Sequence, residues 1–129
     1  MNFRKATAVL VVQAVKPCIE FWSTKLGFEV TTTVPEGEAI GFAILARDGV
    51  EIMYQSVASV AKDNASILAG GRNLRTVLFI EVDDLNDVER RLQGITPLFA
   101  RRKTFYGAEE VCVPDPAGNV VTFAQFSAA

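Results

Sequence analysis

The strongest constraint on this chain is that one order of structural elements occurs twice within 129 residues. A β-branched run is followed by a helical pattern and three further strand-like runs, and the same order then starts again. The strand at 7–12 corresponds to the strand at 77–82, seventy positions later, and the turn at Gly49 corresponds to the turn at Gly118. A helix-bearing unit of this size cannot bury a sheet face alone, so we expect both units to share one sheet.

The first β-α-β-β-β module is predicted to span about 6–57. Pro17 suits the first turn of its helix, Ile19, Trp22 and Leu26 follow at helical spacing, and Gly27 ends it. Trp22 shares a face with Ile19 and Leu26, so we expect it in the core. The predicted strands are 6–12, 28–34, 39–46 and 50–56, with a hairpin at Asp48-Gly49.

The second module is predicted to span about 75–127. Its helix is capped by Asp83 or Asp84 and closed by Gly94. The predicted strands are 76–82, 97–103, 109–113 and 119–126. The segment 58–74, which contains Gly70-Gly71, has no clear period, and we interpret it as a linker with about one helical turn. The predicted fold is therefore α+β: a single domain, 1–129, of two tandem βαβββ modules that form a curved mixed sheet around a cleft, with helices on the outer face.

Composition excludes several classes of function. The formal net charge of −2 and a pI of about 5.1 leave no basic excess for binding nucleic acid. No apolar run approaches the roughly 18 residues of a membrane-spanning helix, and the N-terminal segment lacks a signal-peptide cleavage site. Cys18 and Cys112 lack metal-ligand spacing, so we expect buried thiols in a cytoplasmic protein.

Alternation along the strands predicts which side chains face the cleft. In each strand, the set that carries polar residues is assigned to the cleft. The assigned set is Thr7, Val9, Val11, Glu51, Met53, Gln55, Val77, Phe79, Thr122 and Ala124. This set is mostly apolar with a few hydrogen-bonding groups, which is typical of a small-molecule site.

Two segments resemble signatures of the glyoxalase/bleomycin resistance protein/dioxygenase superfamily, whose fold is also called the vicinal oxygen chelate fold. The segment 21–28, Phe-Trp-Ser-Thr-Lys-Leu-Gly-Phe, resembles its helix-to-strand signature. The segments 107–111 and 115–119, followed by a closing strand, resemble its C-terminal signature. The resemblance covers nearly the whole chain and implies paired βαβββ modules and often a dimer.

The same resemblance implies that the metal positions of the superfamily's enzymes fall at Thr7, Glu51, Val77 and Thr122. Of these, only Glu51 is a good ligand, and the chain contains no histidine. A catalytic metal normally needs about three protein ligands. We therefore expect neither a metal nor another cofactor, which argues against glyoxalase, extradiol dioxygenase and metal-dependent epoxide-opening activities.

What the resemblance leaves are metal-free binding members such as the bleomycin-resistance proteins, which bind a flat, cationic antibiotic in grooves between two subunits. Tyr106-Gly107 stands where that branch often has an aromatic residue and a glycine near its groove. We therefore expect a homodimer that sequesters a planar aromatic, neutral-to-cationic ligand without changing it. The predicted ligand-binding residues are Thr7, Val9, Glu51, Met53, Gln55, Phe79, Tyr106 and Thr122.

Two other functions stay open. The first is a metal-free enzyme of lyase or isomerase type, in which Glu51 acts as a general base on a bound carbonyl compound. The second is a structural or regulatory interaction domain. Both Glu51 and Tyr106 also have ordinary interpretations, as a solvated strand residue and as packing at the base of a loop. The cationic run Arg101-Arg102-Lys103 is interpreted as a solvated loop or strand edge, with a clamp for an anionic ligand as the alternative.

Overall fold

The chain forms two compact units, Met1–Leu74 and Arg75–Ala129. The computed structural model describes residues 1–70 and 75–127. Each unit has a four-stranded mixed sheet, and the β-α-β-β-β order predicted for each module is confirmed. We expected one sheet from both modules, but the strands pair into two sheets, one in each unit. Alternation predicts the two faces of a strand but does not specify its partner at an edge. The predicted cleft stays a prediction.

In unit 1 the strand order is β1-β4-β3-β2, in which β1 and β4 are parallel and the other pairs are antiparallel. The hairpin between β3 and β4 turns at Asp48 and Gly49, whose φ values of 50° and 87° are positive, as a tight hairpin turn requires. The elements of this unit are β1 (Ala8–Val12), α1 (Lys16–Glu20), β2 (Glu29–Glu36), β3 (Ala39–Arg47), β4 (Val50–Ser56) and α2 (Val57–Asn64).

The predicted helix of unit 1 begins as an α-helix and continues as a π-helical turn. Pro17 lies in the first turn of α1, and Phe21–Lys25 form the π-helical turn. Gly27, with a φ of 69°, ends the helix as predicted. Trp22 is completely buried and packs edge-on against Phe21 and Phe28, with ring centroids 5.3 and 4.9 Å away. Its predicted place in the core is confirmed.

The predicted linker contains more helix than expected. Helix α2 begins after Ser56, whose hydroxyl accepts a hydrogen bond from the Ser59 amide at 3.1 Å, and a 3₁₀ turn follows over Ala65–Gly70. Val60 is fully buried, so this helix is stabilised by packing rather than by a regular apolar stripe. The last part of the predicted linker, 71–74, lies outside the described residues.

In unit 2 the strand order is β5-β8-β7-β6, with β5 and β8 parallel. Asp84 caps α3 by accepting a hydrogen bond from the Asp87 amide at 3.1 Å, and the Asp115 carboxylate closes the last turn through the amides of Ala117 and Asn119. The elements are β5 (Val77–Glu81), α3 (Leu85–Arg91), β6 (Phe99–Lys103), β7 (Ala108–Pro114) and β8 (Val120–Phe126).

The chemistry predicted for the cysteines is consistent with their burial. Cys18 and Cys112 are both buried, as expected for small apolar side chains. In the part of the chain that the structure describes, no helix has the length and apolar character needed to cross a membrane.

Candidate functional site

The side chain of Tyr54 establishes which face of the unit 1 sheet points toward α1. Its hydroxyl accepts a hydrogen bond from Trp22 Nε1 at 2.9 Å. Because neighbours in a strand alternate, Met53 and Gln55 point the other way. We call the sheet face that points away from α1 or α3 the distal face of each unit. The distal face of unit 1 carries Thr7, Val9, Val11, Glu51, Met53 and Gln55, which is the set assigned to the cleft from the sequence.

Glu51 on this face is already paired. Its Oε1 lies 2.8 Å from Lys5 Nζ and accepts a hydrogen bond from Thr7 Oγ1 at 3.1 Å. The hydrogen bond from Lys5 is the largest cause that lowers the pKa of Glu51, and the Thr7 hydroxyl also lowers it. A carboxylate with a lowered pKa is a weaker proton acceptor, which disfavours Glu51 as a general base. The contact of Lys5 with Glu51 was not predicted from the sequence.

The other predicted ligand-binding residues of unit 1 lie along the pairing of β1 with β4. Val9 is the ladder partner of Met53, and Val11 is the partner of Gln55. Gln55 Nε2 donates a hydrogen bond to Ser59 Oγ at 3.1 Å, so part of its polar capacity is used within the unit. Val9 and Val11 remain exposed. This face therefore offers an aliphatic surface beside one neutralised carboxylate.

The residues at the implied metal positions do not form a metal site. Thr7 and Glu51 do contact each other, but the ladder in unit 2 pairs Val77 with Val120 and places Thr122 opposite Phe79. Thr122 Oγ1 contacts Cys112 Sγ at 3.4 Å. Among residues 1–70 and 75–127, no group of three or more His, Cys, Asp or Glu side chains could hold an ion. The donor set thus does not fit the superfamily's metal centre.

The distal face of unit 2 is aromatic. Leu85 at the start of α3 donates its amide hydrogen to Gln125 Oε1 at 2.8 Å, so Gln125 points toward α3 and Phe126 points away. Phe79 and Phe126 are nearly parallel, with ring centroids 6.2 Å apart, and Tyr106 lies edge-on to both at 6.3 and 6.1 Å. Phe105 stacks on Tyr106 at 5.1 Å. We call Phe79, Phe105, Tyr106 and Phe126 the ring cluster; all four are exposed.

A buried carboxylate lies on the same sheet face as Phe126. Glu110 on β7 is only 2% exposed. Its Oε1 accepts hydrogen bonds from Arg102 Nε and Nη2, both at 3.1 Å, and its Oε2 accepts one from the Tyr106 hydroxyl. The guanidinium of Arg102 also lies over the Phe99 ring, 4.4 Å from its centroid. Alternation along β7 places Glu109 and Glu110 on opposite faces of the sheet. This alternation is the feature of the sequence from which different surroundings for the two carboxylates could be predicted.

Glu109 forms the corresponding pair on the α3 side of the sheet. Arg101 donates to Glu109 Oε2 from Nε at 3.0 Å and from Nη2 at 2.6 Å, and its Nη1 reaches Asn86 Oδ1 on α3 at 2.7 Å. The hydrogen bonds to Glu109 are the largest cause that raises the pKa of Arg101. Two members of the cationic run, interpreted as a solvated strand edge, therefore form ion pairs on opposite faces of β6.

No protein-family model and no curated protein sequence matches this chain, but many solved structures resemble it. A bleomycin-binding protein from bleomycin-producing Streptomyces verticillus, complexed with copper(II)-bleomycin, is 25% identical, with a TM-score of 0.67, and the match covers 98% of this chain and 99% of that one.

Two further structures resemble the chain. A glyoxalase/bleomycin resistance protein/dioxygenase from Nocardioides is 20% identical, with a TM-score of 0.72 over 98% of this chain and 85% of that one. A lactoylglutathione lyase from Agrobacterium tumefaciens is 15% identical, with a TM-score of 0.74 over 97% and 95%. Both modules and both ends of the chain are thus included in the likeness. The chain has the fold of the glyoxalase/bleomycin resistance protein/dioxygenase superfamily.

Proposed function

We propose that this protein binds a flat organic ligand on the ring cluster of unit 2, without a metal and without changing the ligand chemically. The observation that carries this proposal is a group of four exposed aromatic side chains in mutual contact, two on the distal sheet face and two on the adjoining hairpin turn. Exposed rings in contact with one another are costly to leave in water, and a grouped apolar surface of this kind is typical of a binding surface. Planar rings gain most from a planar partner.

The comparison with the bleomycin-binding protein supports an organic ligand. That protein was solved with copper(II)-bleomycin, and its match covers nearly all of both chains. The neighbours also include proteins described as enzymes, such as the lactoylglutathione lyase. The donor set at Thr7, Glu51, Val77 and Thr122 and the lowered pKa of Glu51 argue for binding rather than for metal-dependent or base-catalysed chemistry.

Because the carboxylates on both distal faces are paired, we propose no preference for a cationic ligand over a neutral one. Glu51 is paired with Lys5, and Glu110 is paired with Arg102. Neither carboxylate therefore presents an uncompensated charge that a cation would neutralise. We propose that flatness rather than charge decides binding, and that a neutral planar compound binds about as well as a cationic one.

The experiment is a calorimetric or fluorescence titration with three probes. Proflavine is a flat cation, acridone is flat and neutral, and 1-aminoadamantane is a compact cation that is not flat. We expect the two flat probes to bind and the third not to bind. Replacing Tyr106 by Ala should weaken binding of the flat probes by about 1–2 kcal/mol through lost ring contact.

The matched control is Glu51→Gln, which alters the distal face of unit 1 and should leave the affinities unchanged. Mass spectrometry of the recovered probes should show no product. The proposal is wrong if 1-aminoadamantane binds as tightly as the flat probes, if Tyr106→Ala has no effect, or if a probe is converted.

We also propose that the protein is a symmetric homodimer, because two-fold dimers are the commonest assemblies and exposed apolar side chains are present on both distal faces. Sedimentation at micromolar concentration should give twice the 14.0 kDa mass of the chain, and a species of 14.0 kDa alone would contradict the dimer. A cytoplasmic location stays a prediction.

A further inference from the structure

The burial of Glu110 requires an explanation. A carboxylate that is 2% exposed is costly unless its charge and both oxygens are satisfied. Here Arg102 satisfies Oε1 with two N–H groups, and the Tyr106 hydroxyl satisfies Oε2. The carboxylate therefore holds two side chains at once, one charged and one aromatic.

The backbone around Tyr106 is fixed by local hydrogen bonds. The Thr104 amide donates to the Ala108 carbonyl at 2.8 Å, and the Ala108 amide donates to Thr104 Oγ1 at 3.0 Å. Gly107 has a φ of 85°, a conformation that few other residues adopt, and its carbonyl accepts the Ser127 amide at 3.0 Å. The hairpin between β6 and β7 thus presents Tyr106 from a defined position.

A fixed backbone does not fix an exposed ring. Phe105, the neighbour of Tyr106 on the same hairpin, projects fully into solvent and stacks on Tyr106. Tyr106 differs because its hydroxyl donates a hydrogen bond to Glu110, four residues along the chain. The ring bound in this way lies edge-on to Phe79 and Phe126.

We infer that Glu110 is a positioning residue, which holds the Tyr106 ring in place before a ligand arrives. The part of this inference that concerns ligand affinity rests on the proposed function. A ring that is already ordered loses less side-chain freedom on binding, and affinity is higher for that reason. Glu110 acts through Tyr106 and has no contact with the ligand in this scheme.

Adjacent Glu109 supplies a matched control. It lies on the same strand, is also held by an arginine, and points toward α3 instead of toward the ring cluster. Glu109→Gln and Glu110→Ala both remove an ion pair, but only the second removes the partner of the Tyr106 hydroxyl. Glu110→Gln is the milder variant because its amide oxygen can still accept from that hydroxyl.

The first measurement needs no ligand. The chain has two tyrosines, Tyr54 and Tyr106, so ring-¹³C-labelled tyrosine gives two sets of NMR signals, which Tyr106→Phe assigns. We expect Glu110→Ala to shift the Tyr106 ring signals toward the averaged positions of a ring in solvent. The Tyr54 signals should stay in place, and unchanged Tyr54 signals also show that unit 1 is folded. Glu110→Gln should restore part of the shift, and Glu109→Gln should leave both residues unchanged. Unchanged Tyr106 signals in Glu110→Ala would overturn the inference.

The second measurement is a double-mutant cycle with acridone as the probe. Glu110→Ala and Tyr106→Phe should each weaken binding by about two- to tenfold, the range that one hydrogen bond contributes. The double variant should be no weaker than the single ones, because both remove the same contact. Additive losses would overturn the inference. Failure of the original chain to bind any flat probe would instead overturn the proposed function, and the NMR result would then decide the role of Glu110 alone.

Discussion

The two units repeat one topology, but their distal faces carry different chemistry. Val9 in unit 1 and Phe79 in unit 2 lie at corresponding positions of β1 and β5, and they are 46% and 49% exposed. Val9 is aliphatic, on a face whose carboxylate pairs with an exposed lysine. Phe79 is aromatic, on a face whose buried carboxylate pairs with an arginine. A shared backbone pattern therefore does not give the distal faces of its two copies the same chemistry.

The largest expected effect concerns where each unit places its aromatic residues. Trp22 in unit 1 lies in the core, against Tyr54 and the neighbouring phenylalanines. Trp22→Ala should therefore lower the free energy of unfolding by about 3–5 kcal/mol, as measured by urea denaturation. Trp22→Phe is the control that keeps an aromatic ring, and it should cost less. A loss below about 1 kcal/mol for Trp22→Ala would contradict a core position for Trp22 and its contrast with the exposed ring cluster of unit 2.

The next effect compares the corresponding residues Val9 and Phe79 directly. Phe79→Ala should weaken the binding of acridone by about 1–2 kcal/mol, because it removes a ring from the cluster. Val9→Ala changes a side chain of similar exposure at the corresponding position and should alter binding by less than about 0.5 kcal/mol. Titration calorimetry on both variants measures the difference. Equal losses would show that the binding surface is not confined to unit 2.

The order of elements could be predicted from the sequence because its local causes are strong. The turn at Asp48-Gly49 determines the start of β4, and Pro17 and Gly27 mark the two ends of the helical segment. The change from α-helix to π-helical turn at Phe21–Lys25 was not predicted, since single π-helical turns are rare.

The site was less predictable, because it depends on pairing between strands. Alternation placed Thr7, Glu51 and Phe79 on faces of their strands, and Thr7 does contact Glu51. It did not reveal that Lys5 reaches Glu51 or that Arg102 and Tyr106 meet at Glu110. Those contacts depend on how neighbouring strands are aligned and on long side chains that reach from one strand to the next. The sequence of a single strand does not specify either.

A smaller effect is the pH dependence that Glu51 gives to the stability of unit 1. The Lys5 hydrogen bond lowers the pKa of Glu51 in the folded protein, so the ionised form stabilises the fold. That contribution is present above the pKa of the unfolded chain and is lost as the pH falls through the lowered pKa. The difference in unfolding free energy between the original chain and Glu51→Gln should therefore shrink on acidification.

Lys5→Met is the control for this pH effect, because it removes the largest cause of the shift. The dependence should also weaken at high salt, since Lys5 is exposed and its charge is screened. Urea denaturation curves collected from neutral to acidic pH measure the effect. A gap that grows on acidification would contradict the assigned pairing of Glu51.

The last prediction is that the purified protein holds no stoichiometric metal ion in either unit. Unit 1 keeps one carboxylate at the implied metal positions, and it is occupied by Lys5 and Thr7. Unit 2 pairs Val77 with Val120 at the corresponding point of its ladder, and valine has no donor atom. Since about three ligands are needed to hold a catalytic ion, elemental mass spectrometry of the purified protein should find well under one equivalent of zinc, nickel, manganese or iron. Acridone affinity should be the same with and without a chelator. A stoichiometric ion that is lost in Glu51→Gln would mean that unit 1, rather than unit 2, carries the functional site.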